Sequence, residues 1–227
     1  VVYLFPFTSN KSSLIKNRSP SRCFLSRRSE LSAEKLPNGI LLGLKAMFKN
    51  AGERTNEEVF WEAFDGYMGK YHEPFVPMFN EYYANDFIHA KQACGFNPVA
   101  KEIIDLCKEK NIRTVLATNP VFPHMATYQR TQWAGLDIED FELITTYEDS
   151  HACKPNPLYY KEILEKCNLQ PEEVIMIGND AKEDFAATLV GIPMILVTDT
   201  VKGDADSIEC LFKGTLAEVK TYLESIL

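Results

Sequence analysis

The fold is decided by the stretch Glu173-Val-Ile-Met-Ile-Gly-Asn-Asp-Ala-Lys-Glu-Asp184. It opens with a short apolar run of the kind found in strands buried in parallel sheets. The run ends in Gly-Asn-Asp, and the pattern that follows predicts a helix over Asp180–Val190. In open α/β sheets, ligands bind beyond the carboxyl ends of the strands, so this junction is a candidate binding edge.

The same alternation of strand and helix runs from residue 97 to the end of the chain. Asn97-Pro98 and Asn156-Pro157 each predict a helix start, because Asn caps a helix and Pro suits its first position. The alternation predicts an α/β fold with a doubly wound, Rossmann-like parallel sheet. The predicted strands are Arg113–Thr118, Phe141–Thr146, Glu173–Ile177 and Pro193–Thr198, and the other predicted helices are Val99–Lys110, Pro123–Trp133, Leu158–Cys167 and Thr215–Ile226.

The block before residue 97 carries no strand signal between residues 31 and 96. Its apolar spacing predicts helices at Gly39–Asn50, Val59–Met68 and Met78–Ala90, and Thr55-Asn-Glu-Glu58 is a capping box before the second of them. An aromatic stripe runs through the second and third helices. Helix packing is the first interpretation of this stripe, and substrate contact is the second. Its members are Phe60, Trp61, Phe64, Tyr67, Phe79, Tyr82, Tyr83 and Phe87.

Composition excludes several classes of protein. The chain has 227 residues, 45% of them hydrophobic, without an apolar run long enough for a transmembrane helix. The net charge of −8 argues against non-specific nucleic-acid binding, which needs a basic surface. Six cysteines are scattered without zinc-site spacing, which favours reduced thiols in a cytoplasmic protein. We therefore expect neither nucleic acid nor membrane as a partner, and a monomer or a homodimer.

Polar side chains follow three of the predicted strands at one edge of the sheet. Thr118 and Asn119 follow the first strand, Lys154 follows the second, and Asp180 and Asp184 follow the third. Taken singly, they are explained as a turn, a solvated lysine and a helix cap. Taken together, they place a hydroxyl, an ammonium and two carboxylates where a phosphate would bind. One carboxylate can hold Mg²⁺ while the other orients Lys154.

In this order and on these elements, the residues resemble the motifs of the haloacid dehalogenase (HAD) superfamily of phosphohydrolases. Thr118 matches the second motif of that superfamily, and Lys154, in Lys-Pro-Asn-Pro, matches the third. Gly178-Asn179-Asp180-x-x-x-Asp184 matches the fourth, acidic motif. The resemblance is close over residues 97–200. It implies a helical cap inserted into the core and a magnesium-dependent phosphatase that acts on a small phosphorylated metabolite through an aspartyl-phosphate.

The resemblance also implies a role for each matching residue. The catalytic candidates are Lys154, Thr118 and Asp184. The candidate phosphate ligands are Thr118, Asn119 and Lys154, and the candidate magnesium ligand is Asp180. Haloacid dehalogenation on the same fold is an alternative, although Lys-Pro-Asn-Pro and Gly-Asn-Asp favour phosphate chemistry. A dinucleotide-binding domain is disfavoured, because no G-x-G-x-x-G follows a strand.

The first motif of that superfamily, Asp-x-Asp, has no counterpart before residue 118. Val1–Phe5 is predicted as the first strand, which puts Pro6 at the position of the nucleophile and Thr8 at that of the acid/base. Neither side chain can do that chemistry at neutral pH, so we expect a weak or inactive phosphatase. The implied division is a first core strand at 1–11, a helical cap at 12–96 and an α/β core at 97–227.

Residues 1–30 differ in composition from the rest of the chain. They contain six basic residues, one acidic residue and seven serines, which resembles an organelle transit peptide. However, the apolar stretch Val1–Phe7 precedes the charges, and no initiator Met is present. Two explanations are open for the missing motif. One is a non-catalytic homologue that keeps a phosphate and magnesium site. The other, favoured by this break, is an altered N-terminus on a chain otherwise built as an enzyme.

Overall fold

The computed structural model describes residues 2–4, 35–69 and 72–227. Its strands are β1 (Val2–Leu4), β2 (Thr114–Leu116), β3 (Leu143–Ile144), β4 (Ile175–Gly178), β5 (Met194–Val197) and β6 (Phe212–Gly214). These six strands form one sheet in the order β3-β2-β1-β4-β5-β6, and every neighbouring pair is parallel. The order reverses between β1 and β4, which is the point where ligands bind in doubly wound sheets. The predicted doubly wound parallel sheet is therefore confirmed.

Helices cover both faces of the sheet. Successive residues of a strand point to opposite faces, so each strand contributes side chains to two core layers. The seven α-helices of the described ranges are α1 (Lys35–Phe48), α2 (Asn56–Met68), α3 (Val76–Glu81), α4 (Val99–Glu109), α5 (His124–Trp133), α6 (Pro157–Cys167) and α7 (Leu216–Ile226). Met176 and Met194 pack with α6, whereas Ile177 and Ile195 pack on the opposite face with α4 and α7.

In the α/β part of the chain, one strand is missing from the sequence-based prediction and one predicted helix is mostly replaced by other structure. β6 is absent from the predicted strands, because Phe212-Lys213-Gly214 has a single apolar residue and forms the edge of the sheet. The helix predicted over Asp180–Val190 is only a 3₁₀-helix over Phe185–Val190, preceded by a turn. The turn replaces the first helical turn because the side chains of Asp180 and Asp184 take the backbone N–H groups of that region.

The helices α1 and α2 pack against each other between β1 and the rest of the α/β core in the sequence, and residues 35–96 are called the helical block below. The predicted capping box is confirmed, since the Thr55 hydroxyl accepts from Glu58 N at 3.2 Å and the Glu58 carboxylate accepts from Thr55 N at 2.9 Å. Close approach of the two helices depends on Gly43. A Cβ there would lie 2.4 Å from the Phe60 ring.

The third predicted helix of the block, Met78–Ala90, is broken into three kinds of helix. α3 passes into a π-helix over Tyr82–Asp86 and then a 3₁₀-helix over Phe87–Ala93. The π-turn brings residues five apart onto one side, and the rings of Tyr82 and Phe87 lie 6.1 Å apart. Phe87 then packs 5.1 Å from the Trp133 ring of α5, so aromatic packing replaces regular helix in this segment.

Several expectations fall partly or wholly outside the described residues. Pro6, Thr8 and Cys23 lie there, and the division at residues 11 and 96 stays a prediction. In the ranges that the structure covers, no helix is long and apolar enough to cross a membrane. The cysteines in those ranges are free thiols, namely Cys94, Cys107, Cys153, Cys167 and Cys210.

Candidate functional site

The centre of the candidate site is a buried ion pair between Lys154 and Asp184. Lys154 Nζ lies 2.7 Å from Asp184 Oδ1, and the two side chains are 0% and 3% exposed. A lysine that is fully buried is rare unless it is paired, because removing a charge from water costs several kcal/mol. The lysine is therefore not the solvated loop residue that it would be if taken singly.

The second oxygen of Asp184 ties this pair to the end of β4. Asp184 Oδ2 accepts hydrogen bonds from the backbone N–H groups of Asn179 and Asp180, each at 3.0 Å. Gly178 makes this possible, because a Cβ at that position would lie 2.4 Å from Asp184 Oδ2. The carboxylate is thus held on three sides, and it fixes where the ammonium of Lys154 lies.

Asp180 occupies a different position from the one that a regular helix would give it. Its Oδ1 accepts from the backbone N–H groups of Lys182 and Glu183, at 3.0 and 2.7 Å. Asp180 and Asp184 are joined by a backbone bond, Asp184 N to Asp180 O at 3.1 Å, but their carboxylates do different things. That of Asp184 holds Lys154, while that of Asp180 shapes the turn. The two aspartates share a turn without sharing a helix face.

Two side chains with oxygen atoms suitable for Mg²⁺, Asn179 and Asp180, follow each other at the same turn. Asn179 is 3% exposed, and its Oδ1 has no hydrogen-bond partner among the residues that the structure describes. Its Nδ2 is fixed by the Thr200 carbonyl at 2.7 Å. A buried amide oxygen beside an aspartate suits a hard cation, which prefers oxygen. Among all the residues that the structure describes, no group of three His, Cys, Asp or Glu side chains could hold a metal ion. Asn179 and Asp180 would therefore supply only part of a coordination shell.

Asn119 joins the loop after β2 to the loop that carries Lys154. Its Oδ1 accepts from Lys154 N at 3.1 Å, and its Nδ2 donates to Lys154 O at 3.4 Å. Thr118 is buried, and its hydroxyl donates to Asn119 O at 3.3 Å. The Thr118 carbonyl accepts from Tyr159 Oη at 2.7 Å. The structure thus brings Thr118, Asn119 and Lys154 together, as the sequence predicts.

Two tyrosines of α6 line the buried lysine. Lys154 Nζ lies 5.5 Å from the Tyr159 ring centre and 5.8 Å from that of Tyr160, within the range of cation–π attraction. Burial, and then the neighbouring Asp184 carboxylate, raise the pKa of Tyr160 well above its usual value. Its hydroxyl therefore stays protonated and donates to Glu183 O at 2.7 Å. These tyrosines carried no motif signal in the sequence.

Cys153 comes directly before Lys154 and is 2% exposed. Burial raises the pKa of its thiol to about 12, and the Glu183 carboxylate acts in the same direction. The thiol is therefore protonated at neutral pH, and it is not a candidate nucleophile.

A cavity of about 340 Å³ opens between the helical block and the loops after β2 and β3. Its ionisable carboxylates are Glu57 and Glu148, and none of the described residues that line it is Lys or Arg. Glu57 accepts from Tyr147 Oη at 3.3 Å, and Glu148 lies 2.8 Å from His124 Nδ1. Part of the aromatic stripe lines this cavity, in addition to packing between the helices. The aromatic lining consists of Phe60, Trp61, Phe79, Tyr83, Phe122 and Tyr147.

Comparison with solved structures supports the fold. The chain is similar to an HAD phosphatase from Thermococcus onnurineus, with a TM-score of 0.55, 16% identity, and coverage of 89% of this chain and 86% of that one. It is also similar to an L-2-haloacid dehalogenase from Xanthobacter autotrophicus, with a TM-score of 0.54, 13% identity, and coverage of 89% and 91%. At these identities the likeness concerns the fold.

Comparison by sequence identifies the family. The chain is 30% identical over 100 residues to a phosphorylated carbohydrates phosphatase of Thermotoga maritima. That match spans 44% of this chain and 44% of the relative's length. The model of the haloacid dehalogenase-like hydrolases matches residues 31–188, which is more than half of the chain. With the parallel sheet and the buried Lys154–Asp184 pair at its edge, this match assigns the chain to the haloacid dehalogenase-like hydrolase family.

Proposed function

We propose that this chain is built as a magnesium-dependent phosphatase of a small phosphorylated metabolite, working through an aspartyl-phosphate. The observation that carries the proposal is the fully buried Lys154, held against Asp184 and bonded through its backbone to Asn119. An ammonium held in place at the carboxyl edge of the sheet stabilises the charge that develops on phosphoryl oxygens.

Each neighbouring residue has a part in this proposal. Lys154, Asn119 and Thr118 bind the phosphate, and Asp184 keeps the ammonium of Lys154 in place. Asp180 and Asn179 would hold Mg²⁺, whose charge helps to neutralise the phosphate when the ion is bound. Because Mg²⁺ readily takes water and phosphate oxygens as ligands, the small set of protein donors is compatible with it.

The proposal includes an impaired first motif. The nucleophile position falls on Pro6 and the acid/base position on Thr8, neither of which can attack phosphorus or shuttle a proton efficiently. The chain as it stands is therefore expected to bind phosphate and Mg²⁺ and to turn over slowly or not at all. A non-catalytic binding protein with the same site is the second candidate, and the test below separates the two.

We assign the leaving group to this cavity, because its lining includes Val121, which lies two residues after the candidate phosphate ligand Asn119. Its aromatic walls suit the apolar face of a ring, and Glu57 and Glu148 suit hydroxyl donors. An additional carboxylate or phosphate placed in this cavity would be repelled by these two carboxylates. The name of the Thermotoga maritima relative, a phosphorylated carbohydrates phosphatase, agrees with this chemistry. We therefore propose a phosphate ester of a neutral, hydroxylated alcohol.

The first test is the hydrolysis of p-nitrophenyl phosphate by the purified chain, with Mg²⁺ and with excess chelator. We expect no more than trace turnover in the parent chain. The variant with Pro6→Asp and Thr8→Asp is expected to gain turnover that requires Mg²⁺, since it restores a nucleophile and a proton shuttle. Failure of this variant, together with phosphate and Mg²⁺ binding in the parent, would favour the non-catalytic candidate.

The assignment of Asp180 as a Mg²⁺ ligand is tested separately, by measuring Mg²⁺ binding. Asp180→Asn removes a carboxylate from the turn and should weaken Mg²⁺ binding by about tenfold or more, as measured by calorimetry. The control Glu172→Gln removes an exposed carboxylate that lies before β4, and it should leave the Mg²⁺ affinity unchanged. Equal Mg²⁺ affinities in the parent and in Asp180→Asn would contradict the metal assignment.

The second test compares substrates in the Pro6→Asp, Thr8→Asp variant. We expect kcat/KM for a hexose monophosphate to exceed that for phosphoglycolate by about tenfold or more, because the second substrate brings a carboxylate towards Glu57 and Glu148. Replacement of Glu57 by glutamine should narrow the difference while leaving p-nitrophenyl phosphate turnover nearly unchanged. A preference for phosphoglycolate would overturn the proposed leaving-group class and leave the phosphatase assignment intact.

A further inference from the structure

Asn56, the first residue of α2, is fully buried although it lies at a helix start. Its side-chain Nδ2 contacts three acceptors, Pro120 O at 3.1 Å, Ala152 O at 3.3 Å and Cys153 Sγ at 3.4 Å. All three acceptors belong to the α/β part of the chain rather than to the helical block. A single carboxamide therefore links α2 to two separate loops of the sheet edge.

The backbone of the same helix end is fixed to the loop after β3. Asn56 N donates to Ser150 O at 2.7 Å, and Glu57 N donates to Tyr147 O at 2.9 Å. The first N–H groups of a helix have no partner inside it, so they need acceptors from elsewhere. For Asn56 and Glu57 those acceptors are carbonyl groups of the core, whereas Glu58 N donates to the Thr55 hydroxyl of the capping box. The start of α2 is thus the place where the helical block is bonded to the loops of the site.

The residues that Asn56 holds are direct neighbours of the candidate phosphate ligands. Pro120 follows Asn119, and Cys153 precedes Lys154. The two ligands are bonded to each other at 3.1 and 3.4 Å, and Lys154 reaches Asp184 at 2.7 Å. A continuous row of hydrogen bonds and peptide links therefore runs from α2 through both loops to the turn after β4.

We propose that Asn56 is a positioning residue that makes the geometry of the phosphate-binding loops depend on the docking of the helical block. While α2 is docked, its carboxamide holds the loops of Asn119 and Lys154 at their mutual distance. When α2 moves away, the carbonyl groups of Pro120 and Ala152 lose this donor, and the loops lose their common support. The inference rests on the proposed function, because that proposal makes Asn119 and Lys154 the phosphate ligands.

Asn50 provides a matched control on the helical-block side of the same network. Its Nδ2 donates to Asn56 Oδ1 at 2.9 Å and to Arg54 O at 2.8 Å, and its Oδ1 accepts from Gly52 N at 3.2 Å. Asn50 is 8% exposed, and these partners all lie in the helical block rather than in the core loops. Loss of Asn50 therefore removes buried hydrogen bonds without removing the donor that contacts Pro120 and Ala152.

The experiment measures backbone amide hydrogen exchange and inorganic phosphate affinity in the parent chain, Asn56→Ala and Asn50→Ala. We expect the Lys154 amide to exchange about tenfold faster in Asn56→Ala and at the parental rate in Asn50→Ala. The amide of Ile195, in the centre of β5, reports global stability. Phosphate affinity, measured by calorimetry, should fall by about tenfold in Asn56→Ala only.

The outcomes separate the inference from the function on which it rests. If exchange at Lys154 rises equally in both variants, or only in step with Ile195, Asn56 merely stabilises the fold and the inference is wrong. If Asn56→Ala does not fold, Asn56→Ser keeps a small polar side chain and is expected to show the same site-specific increase. A parent chain that binds no phosphate contradicts the proposed function, whereas the exchange rates still decide whether Asn56 positions the loops.

Discussion

Replacement of Lys154 by alanine is expected to abolish most phosphate binding and to lower the free energy of unfolding by about 3–5 kcal/mol. The side chain is fully buried against Asp184 at 2.7 Å, so its removal leaves a buried carboxylate without that counter-charge. An incoming phosphate would then face Asp184 directly and be repelled. Calorimetry with inorganic phosphate and urea unfolding measure the two effects separately.

Lys182→Ala is the matched control for this variant. Lys182 lies two residues before Asp184 and is exposed, so the substitution changes the net charge equally without touching the buried pair. We expect parental stability and phosphate affinity from it. If Lys154→Ala bound phosphate as tightly as Lys182→Ala, the ammonium would have no part in phosphate binding, and the proposed function would lose its main support.

Gly178→Ala is expected to damage the same site by a steric route. Its new Cβ would lie 2.4 Å from Oδ2, 2.5 Å from Cγ and 2.6 Å from Cβ of Asp184. These atoms cannot move aside freely, because Asp184 also accepts from Asn179 N and Asp180 N. We expect a loss of about 3 kcal/mol in unfolding free energy, the upper end for overpacking, together with weaker phosphate binding as the pair with Lys154 is displaced.

Gly66→Ala gives the comparison for that prediction. Gly66 lies inside α2, and a Cβ there would meet nothing within 4 Å. Alanine is favoured over glycine in a helix by about 0.5–1 kcal/mol, so this variant should be slightly more stable than the parent. Parental stability in Gly178→Ala would show that Asp184 can relocate, and that its position is less constrained than its contacts indicate.

Much of the α/β part follows from local sequence patterns. The helix starts at Asn97-Pro98 and Asn156-Pro157 are where the sequence predicts them, because capping and the fixed backbone angle of proline act within a few residues. Short apolar runs likewise give strands β2 and β4 within two residues of their predicted limits. The sequence did not predict β6. An edge strand needs few apolar residues, and the register of β6 is set by pairing with its neighbour β5.

Part of the candidate site likewise follows from the sequence, and part of it does not. The sequence alone predicts that Thr118, Lys154, Asp180 and Asp184 lie at one sheet edge, because parallel strands bring their carboxyl ends together. It does not predict which oxygen binds which nitrogen. The turn at Asp180–Asp184 replaces a helix only because Gly178 lets the carboxylate of Asp184 approach the strand end.

Only the tertiary structure could reveal Asn56 and the cavity. Asn56 sits in a capping box, and its local pattern predicts a surface position at a helix start. Its burial results from contacts with residues 64 to 97 positions away in the chain. The sequence by itself thus determined five of the six strands of the sheet, most helix starts and the polar residues that meet at the sheet edge. Packing between segments far apart in the chain decided which polar groups were buried and paired, as for Lys154 with Asp184 and for Asn56 with Pro120 and Ala152, and no local pattern encodes such contacts.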